Sequence, residues 1–170
     1  MQLKENNSRE EETVVLQIND WVFRIDLDKT ADHSRLVSSE HCTCGYCENY
    51  YRSVNETYPE LKPFLNQFGV LVDGPSEMYP IEPTLYLSGY RIFGQIIQFG
   101  KGPIMVGSVP VTAEPVDEDH FMLECGEMFL PWLLPEDMDE VISPANEPEF
   151  LEKMYRKLIM RNAPTGPFLS

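Results

Sequence analysis

The chain has 170 residues, with 13 basic against 28 acidic side chains and a net charge of −15. That length suits one domain with a full core, and 42% hydrophobic content argues against wholesale disorder. A surface so negative repels nucleic-acid phosphates and anionic lipid headgroups, so neither is an expected partner.

No stretch approaches the ~18 apolar residues of a membrane span. The opening Met1-Gln2-Leu3-Lys4-Glu5 lacks the apolar run of a secretory signal, which makes the cytoplasm the expected address. In that reducing compartment four cysteines are thiols, not a disulfide framework. Fourteen prolines and ten glycines cut the chain into short segments, favouring strands and turns over a helical bundle.

Residues 1–12 are polar and read as a frayed acidic arm, and 13–170 as a single α+β domain. Val14-Val15-Leu16-Gln17-Ile18 and Trp21 to Leu27 read as strands joined by a tight turn at Asn19-Asp20. In the second strand Phe23, Ile25 and Leu27 alternate with Arg24, Asp26 and Asp28, so one face is buried. Residues 29–40 are polar and read as a loop or a short irregular helix.

Beyond them, Cys47, Tyr50, Tyr51, Val54 and Tyr58 fall at helical spacing, with Thr43 as the expected N-cap. Pro59 ends this helix and opens a second, whose apolar stripe is Leu61, Phe64, Leu65 and Phe68. Gly69 stands at its C-terminal cap. The two form a helical hairpin over 44–68.

Residues 70–83 hold Gly74-Pro75, Pro80 and Pro83 and read as a connector. A β-rich block follows over 85–99, with bends at Gly89 and Gly94. It continues as one apolar run through 104–106 and 109–111, then an acidic loop at 114–119. Residues 121–125 and 128–130 read as a last hairpin across Gly126-Glu127. After an acidic linker, Asn146 and Glu149 match a capping box that opens a helix over 147–161. The expected fold is a largely antiparallel, two-layer sheet of about seven strands, with the helical hairpin and the C-terminal helix packed on it.

The chemistry concentrates in His41-Cys42-Thr43-Cys44-Gly45-Tyr46-Cys47, which holds three of the four cysteines. Zinc takes four tetrahedral ligands at roughly 2.3 Å from sulfur. Cys42, Cys44 and Cys47 could supply three, with His41 or Cys125 as the fourth. A helix N-terminus would stabilise the thiolates. Structural zinc motifs, however, usually bring two separated pairs, and a second pair is missing here.

Cys44-Gly45-Tyr46-Cys47 also has the C-x-x-C spacing of thioredoxin-like redox sites. That fold places a buried strand directly before the motif, whereas Ser38-Ser39-Glu40-His41 precede it here. The remaining reading is structural, because cysteine often packs as a small hydrophobe. Cys47 shares the stripe of Tyr50 and Val54, and Cys125 lies in a strand.

His33 and His120 read as solvated loop side chains. Glu124, Glu127 and Glu48 offer carboxylates that the sequence does not bring together. There is no nucleophile elbow, phosphate-binding glycine loop, HExxH or EF-hand motif.

The run from Cys42 to Tyr51, then Pro59-Glu60-Leu61 with Pro63-Phe64-Leu65 and Phe68-Gly69-Val70, and then Gly74-Pro75-Ser76-Glu77, resembles a set of uncharacterised bacterial proteins. In that set a C-x-C-x-x-C-x-x-[YF] helix precedes a β-rich half. The likeness covers residues 41–80, and more loosely the strands up to Leu130-Pro131-Trp132. This chain departs from it at Val70-Leu71-Val72-Asp73, where the similar proteins have a shorter turn. The resemblance implies that the three cysteines act as a unit, and it implies no activity.

The expected function is a non-catalytic cytoplasmic module that binds a protein or small molecule, without a cofactor. The alternative is a zinc-binding or thiol-redox protein acting through Cys42, Cys44 and Cys47.

Overall fold

The structure, a computed structural model, describes residues 12–82 and 84–135. The arm expected over 1–12, Glu12 apart, and the helix expected over 147–161 lie outside the described residues.

β1 (Thr13–Ile18) and β2 (Trp21–Asp26) form the expected hairpin, with Ile18 opposite Trp21. Asn19 takes a left-handed φ of 54°, which asparagine tolerates well. β4 (Leu85–Gln98) is the long central strand. Its first part pairs with β3 (Glu77–Glu82) and its last part with β2, while β7 (His120–Phe129) runs along the other side. β6 (Val109–Pro115) and β5 (Ile104–Val106) complete an antiparallel seven-stranded sheet in the order β1-β2-β4-β7-β6-β5, with β3 beside β4. Three helices are described: α1 (Leu27–Ser39), α2 (Gly45–Thr57) and α3 (Leu61–Asn66).

Alternation sorts the sheet residues. Tyr86, Tyr90 and Ile92 of β4 share a face with Phe121, Leu123 and Cys125 of β7 and with Phe23 and Ile25 of β2. Val54 and Tyr50 of α2 join them in one core with Leu61, Phe64 and Leu65 of α3 and with Phe68. Phe23 is the hub, with Phe68 at 5.2 Å, Phe121 at 5.4 Å and Trp21 at 5.8 Å between ring centroids. Each such fully buried ring contributes about 1.5–3 kcal/mol of transfer free energy.

Four expectations are corrected. Residues 27–39 are a regular helix of 13 residues, not the loop or short irregular helix expected over 29–40. Asp26 caps it by accepting from the Lys29 amide at 2.9 Å, and its buried positions are Thr30 and Ser34. Their hydroxyls accept the Phe93 amide at 3.0 Å and the Leu71 amide at 2.9 Å, which tie α1 to β4 and to the loop after α3.

The connector contains a strand, β3, which Pro80 does not break because the partner strand lies on one side of it. The run 104–111 folds back on itself at Gly107, whose φ of +58° makes a turn between β5 and β6. The last hairpin is instead one strand. Gly126 and Glu127 form a bulge opposite Leu87, with Glu127 at a φ of 53°.

Candidate functional site

α2 is clamped on its inner face. Asn49 is fully buried. Its Oδ1 accepts the Leu133 amide at 2.7 Å and its Nδ2 donates to the Pro131 carbonyl at 3.1 Å. One residue on, the Tyr50 hydroxyl meets Tyr90 at 2.8 Å and Ser88 at 3.1 Å, and Tyr90 donates to the Val72 carbonyl at 2.6 Å. At the C-terminal end the Tyr58 hydroxyl accepts the Phe129 amide at 2.9 Å. Burial holds the Tyr50 and Tyr90 phenols well above their ordinary pKa, and pushes Tyr86 up to about 12. The helix that carries the cysteines is therefore fixed to the sheet along its length.

At its N-terminus stand the three thiols. The N-cap is Cys44, not Thr43, with an extended backbone and no side-chain capping bond. Cys47 lies in the first turn of α2, and Cys42 precedes the helix in a stretch without regular structure. The sulfurs of Cys42, Cys44 and Cys47 all lie within 4.8 Å of one another. Cys42 is exposed, and Cys44 and Cys47 are half-buried.

Cys42 and Cys47 are electrostatically unequal. The Cys44 backbone amide faces the Cys42 sulfur and lowers its pKa, assisted by the Cys44 and Cys47 thiols. Burial pushes the Cys47 thiol far up, and its two neighbours push it further. Tyr51 rises chiefly through burial and then through Cys47 and Cys42 beside it.

Neither proposed fourth ligand joins this group. His41 stacks on Tyr51 with centroids 4.2 Å apart, and its Nε2 lies 3.4 Å from the Ser38 hydroxyl. Cys125 is fully buried in β7, between Ser88 of β4 and Val111 of β6. Of the carboxylates, Glu48 is held by Arg52 at 2.8 Å on the outside of α2, while Glu124 is buried in β7. Beside Tyr51 a groove of about 340 Å³ opens between α2 and the segment after α3, walled by Val54, Asn55, Lys62 and Asp73.

His33 and His120 are not isolated loop residues. His33, on α1, sits edge-on to Phe93 at 5.5 Å, and His120, on β7, lies 6.0 Å from the same ring. His120 Nδ1 is 2.8 Å from the Asp117 carboxylate, which is held below its usual range first by the Asp119 amide. His33 is held low by burial, and then by Arg91 and His120. Buried Arg91 Nε and His120 Nε2 have no hydrogen-bond partner among the described residues. The only local signal for this cluster is the Asp117–His120 spacing, because pairing β4 with β7 is what places His120 opposite Phe93.

Comparison with protein-family models, with curated proteins and with solved structures finds no match for the chain. Among the described residues no helix is long and apolar enough to cross a membrane.

Proposed function

We propose that Cys42, Cys44 and Cys47 form a binding site for a thiophilic cation, zinc first. The observation that carries this is the mutual approach of the three sulfurs within 4.8 Å at the start of a helix that Tyr50 ties to β4. Tetrahedral zinc with bonds of roughly 2.3 Å holds sulfurs roughly 3.8 Å apart, so a small contraction closes the site. Soft thiolates select zinc or cuprous ions over magnesium and calcium. The amide dipoles at the α2 N-terminus favour the negative charge that three thiolates bring.

The fourth position falls to water or to an incoming donor. His41 is engaged with Tyr51, and Cys125 belongs to the sheet core. Three protein ligands with one open position suit a site that exchanges or activates something at the metal. The likeness of residues 41–80 to bacterial proteins with a C-x-C-x-x-C-x-x-[YF] helix fits a reading in which the thiols act together. A cytoplasmic location would keep them reduced. The non-catalytic binding module read from the sequence remains compatible, with the metal ordering the segment that meets the partner.

The test is elemental analysis of protein purified under reducing conditions without chelator, with thiol titration before and after denaturation. The expected result is one zinc per chain, with all four thiols protected until denaturation, Cys125 by burial and the other three by the metal. Metal-free protein that takes up no zinc when titrated, with Cys42, Cys44 and Cys47 all reacting at once, would sink the proposal.

A further inference from the structure

We infer that two of these three sulfurs carry out thiol–disulfide exchange, with Cys42 as the attacking thiol and Cys47 as the resolving one. The inference deepens the metal reading and rests on it only in its second consequence, that oxidation expels the cation.

Access selects Cys42. It is the exposed member of the group, so a disulfide approaching from solvent meets its sulfur first. Position selects Cys47. It sits in the first turn of α2, whose next turn is locked by Asn49 and Tyr50, so its sulfur is a fixed target. Cys42 lies between α1 and α2, outside both helices, and can travel. A disulfide needs sulfurs about 2.05 Å apart, so closing from 4.8 Å or less is a movement of under about 3 Å.

Cys42 and Cys44 are separated by one residue, which would close a small, strained ring. Cys42 and Cys47 have four residues between them and can reach ordinary disulfide geometry. In this proposal the attacking thiol is Cys42 and not Cys44, the first cysteine of the thioredoxin-like spacing 44–47. Cys44 is half-buried and is also the N-cap of the helix.

The oxidant is a low-molecular-mass disulfide, RSSR. The Cys42 thiolate attacks one of its sulfurs, forming Cys42–S–S–R and releasing RS⁻. The Cys47 thiol gives its proton to solvent, and its sulfur attacks that of Cys42 and releases the second RS⁻. Two protein thiols become one disulfide, and RSSR is reduced to two thiols once the released thiolates take up the two protons. Cys44 then remains alone, and one thiolate does not retain the cation.

The experiment treats the metal-free full chain with glutathione disulfide, alkylates the remaining thiols and sequences the peptide that holds all three cysteines by mass spectrometry. The expected product lacks two hydrogens, links Cys42 to Cys47 and carries the alkyl label on Cys44. Cys42→Ser slows the reaction by about tenfold or more, because the exposed thiol is gone. Cys47→Ser accumulates a glutathione adduct on Cys42. No disulfide in the parent, or unimpaired reaction in Cys42→Ser with loss in Cys44→Ser, overturns the inference.

A parallel arm preloads zinc. Slower exchange, with zinc released to a chromophoric chelator as the disulfide forms, is the expected result. If the disulfide forms but zinc neither binds nor protects, the metal reading fails and the exchange stands. If zinc binds but the metal-free thiols form no disulfide, the exchange fails and the metal reading stands.

Discussion

Cys125 lies between Ser88 and Val111 in the middle of the sheet, fully buried and in one core with Phe23 and Leu123. Cys42, Cys44 and Cys47 stand at the outer end of α2, within 4.8 Å of one another and open to solvent to different degrees. The side chain is the same in both places. In the sheet its neighbours fill space and exclude water, so it acts as a small apolar group. At the helix start its neighbours are other thiols and a backbone amide, and the proposed ligand and nucleophile roles rest on that arrangement. Spacing alone does not separate these roles, because Cys47 also falls on the apolar stripe of α2.

The sharpest way to break this contrast is a serine scan read by metal affinity. Cys42→Ser, Cys44→Ser and Cys47→Ser are each expected to weaken zinc binding by about a hundredfold or more, as measured by competition with a chromophoric chelator. Cys125→Ser is expected to leave zinc affinity within about twofold. It should instead destabilise the fold by about 1–3 kcal/mol, because it replaces a thiol at a fully enclosed position with a more strongly hydrated hydroxyl, and denaturant titration measures this. Equal, small effects of all four changes on affinity would erase the distinction.

The contrast also has a pH signature. Burial and the neighbouring thiols raise the Cys47 pKa, so this thiol keeps its proton throughout the neutral range. A cation must displace that proton, so zinc affinity should rise with pH. Cys47 alone contributes about tenfold per pH unit. The metal-free protein behaves in the opposite sense at high pH. The Tyr50 and Tyr90 phenols stay neutral in the folded state beyond pH 10, where the unfolded chain ionises, so their stabilising contribution is full below that pH and is lost above it. Melting temperature should fall above about pH 10, with tyrosinate absorbance appearing as the protein unfolds.

The parts of the fold that could be read from the sequence were those whose buried faces are apolar. The first hairpin, the α2 stripe and the α3 stripe with Gly69 at φ +82° all show as periodic hydrophobicity or as a residue suited to its turn. α1 stayed hidden because its buried contacts are the hydroxyls of Thr30 and Ser34, which meet backbone amides from strands and loops distant in sequence. Local patterning has no access to those partners. The same limit hid the His33–Phe93–His120 group, which exists only through the β4–β7 register and the packing of α1 on β4. Gly126-Glu127 has a turn composition, yet β4 continues past it, and the two residues become a bulge. At the candidate site the thiol triplet was legible because its members are near neighbours in sequence, whereas the sequence could not show that His41 stacks on Tyr51 or that Cys125 is enclosed in β7.

The smallest expected effect concerns His41, and it separates an open site from a closed one. His41 stacks on Tyr51 and reaches toward Ser38, so its imidazole is occupied by its own neighbours. If water holds the fourth position, His41→Ala removes only a stacking contact beside the thiols, and zinc affinity should change by about threefold or less. If the ring swings in when metal binds, the same change deletes a ligand and affinity falls by about a hundredfold, as for a cysteine. Cobalt substitution gives a second readout. A water-capped site changes its visible spectrum when an added thiol displaces the water, whereas a site closed by His41 resists that exchange. A small affinity change together with a thiol-sensitive cobalt spectrum leaves the metal with one face to solvent. That is the arrangement in which exposed Cys42 can leave the cation and form the disulfide.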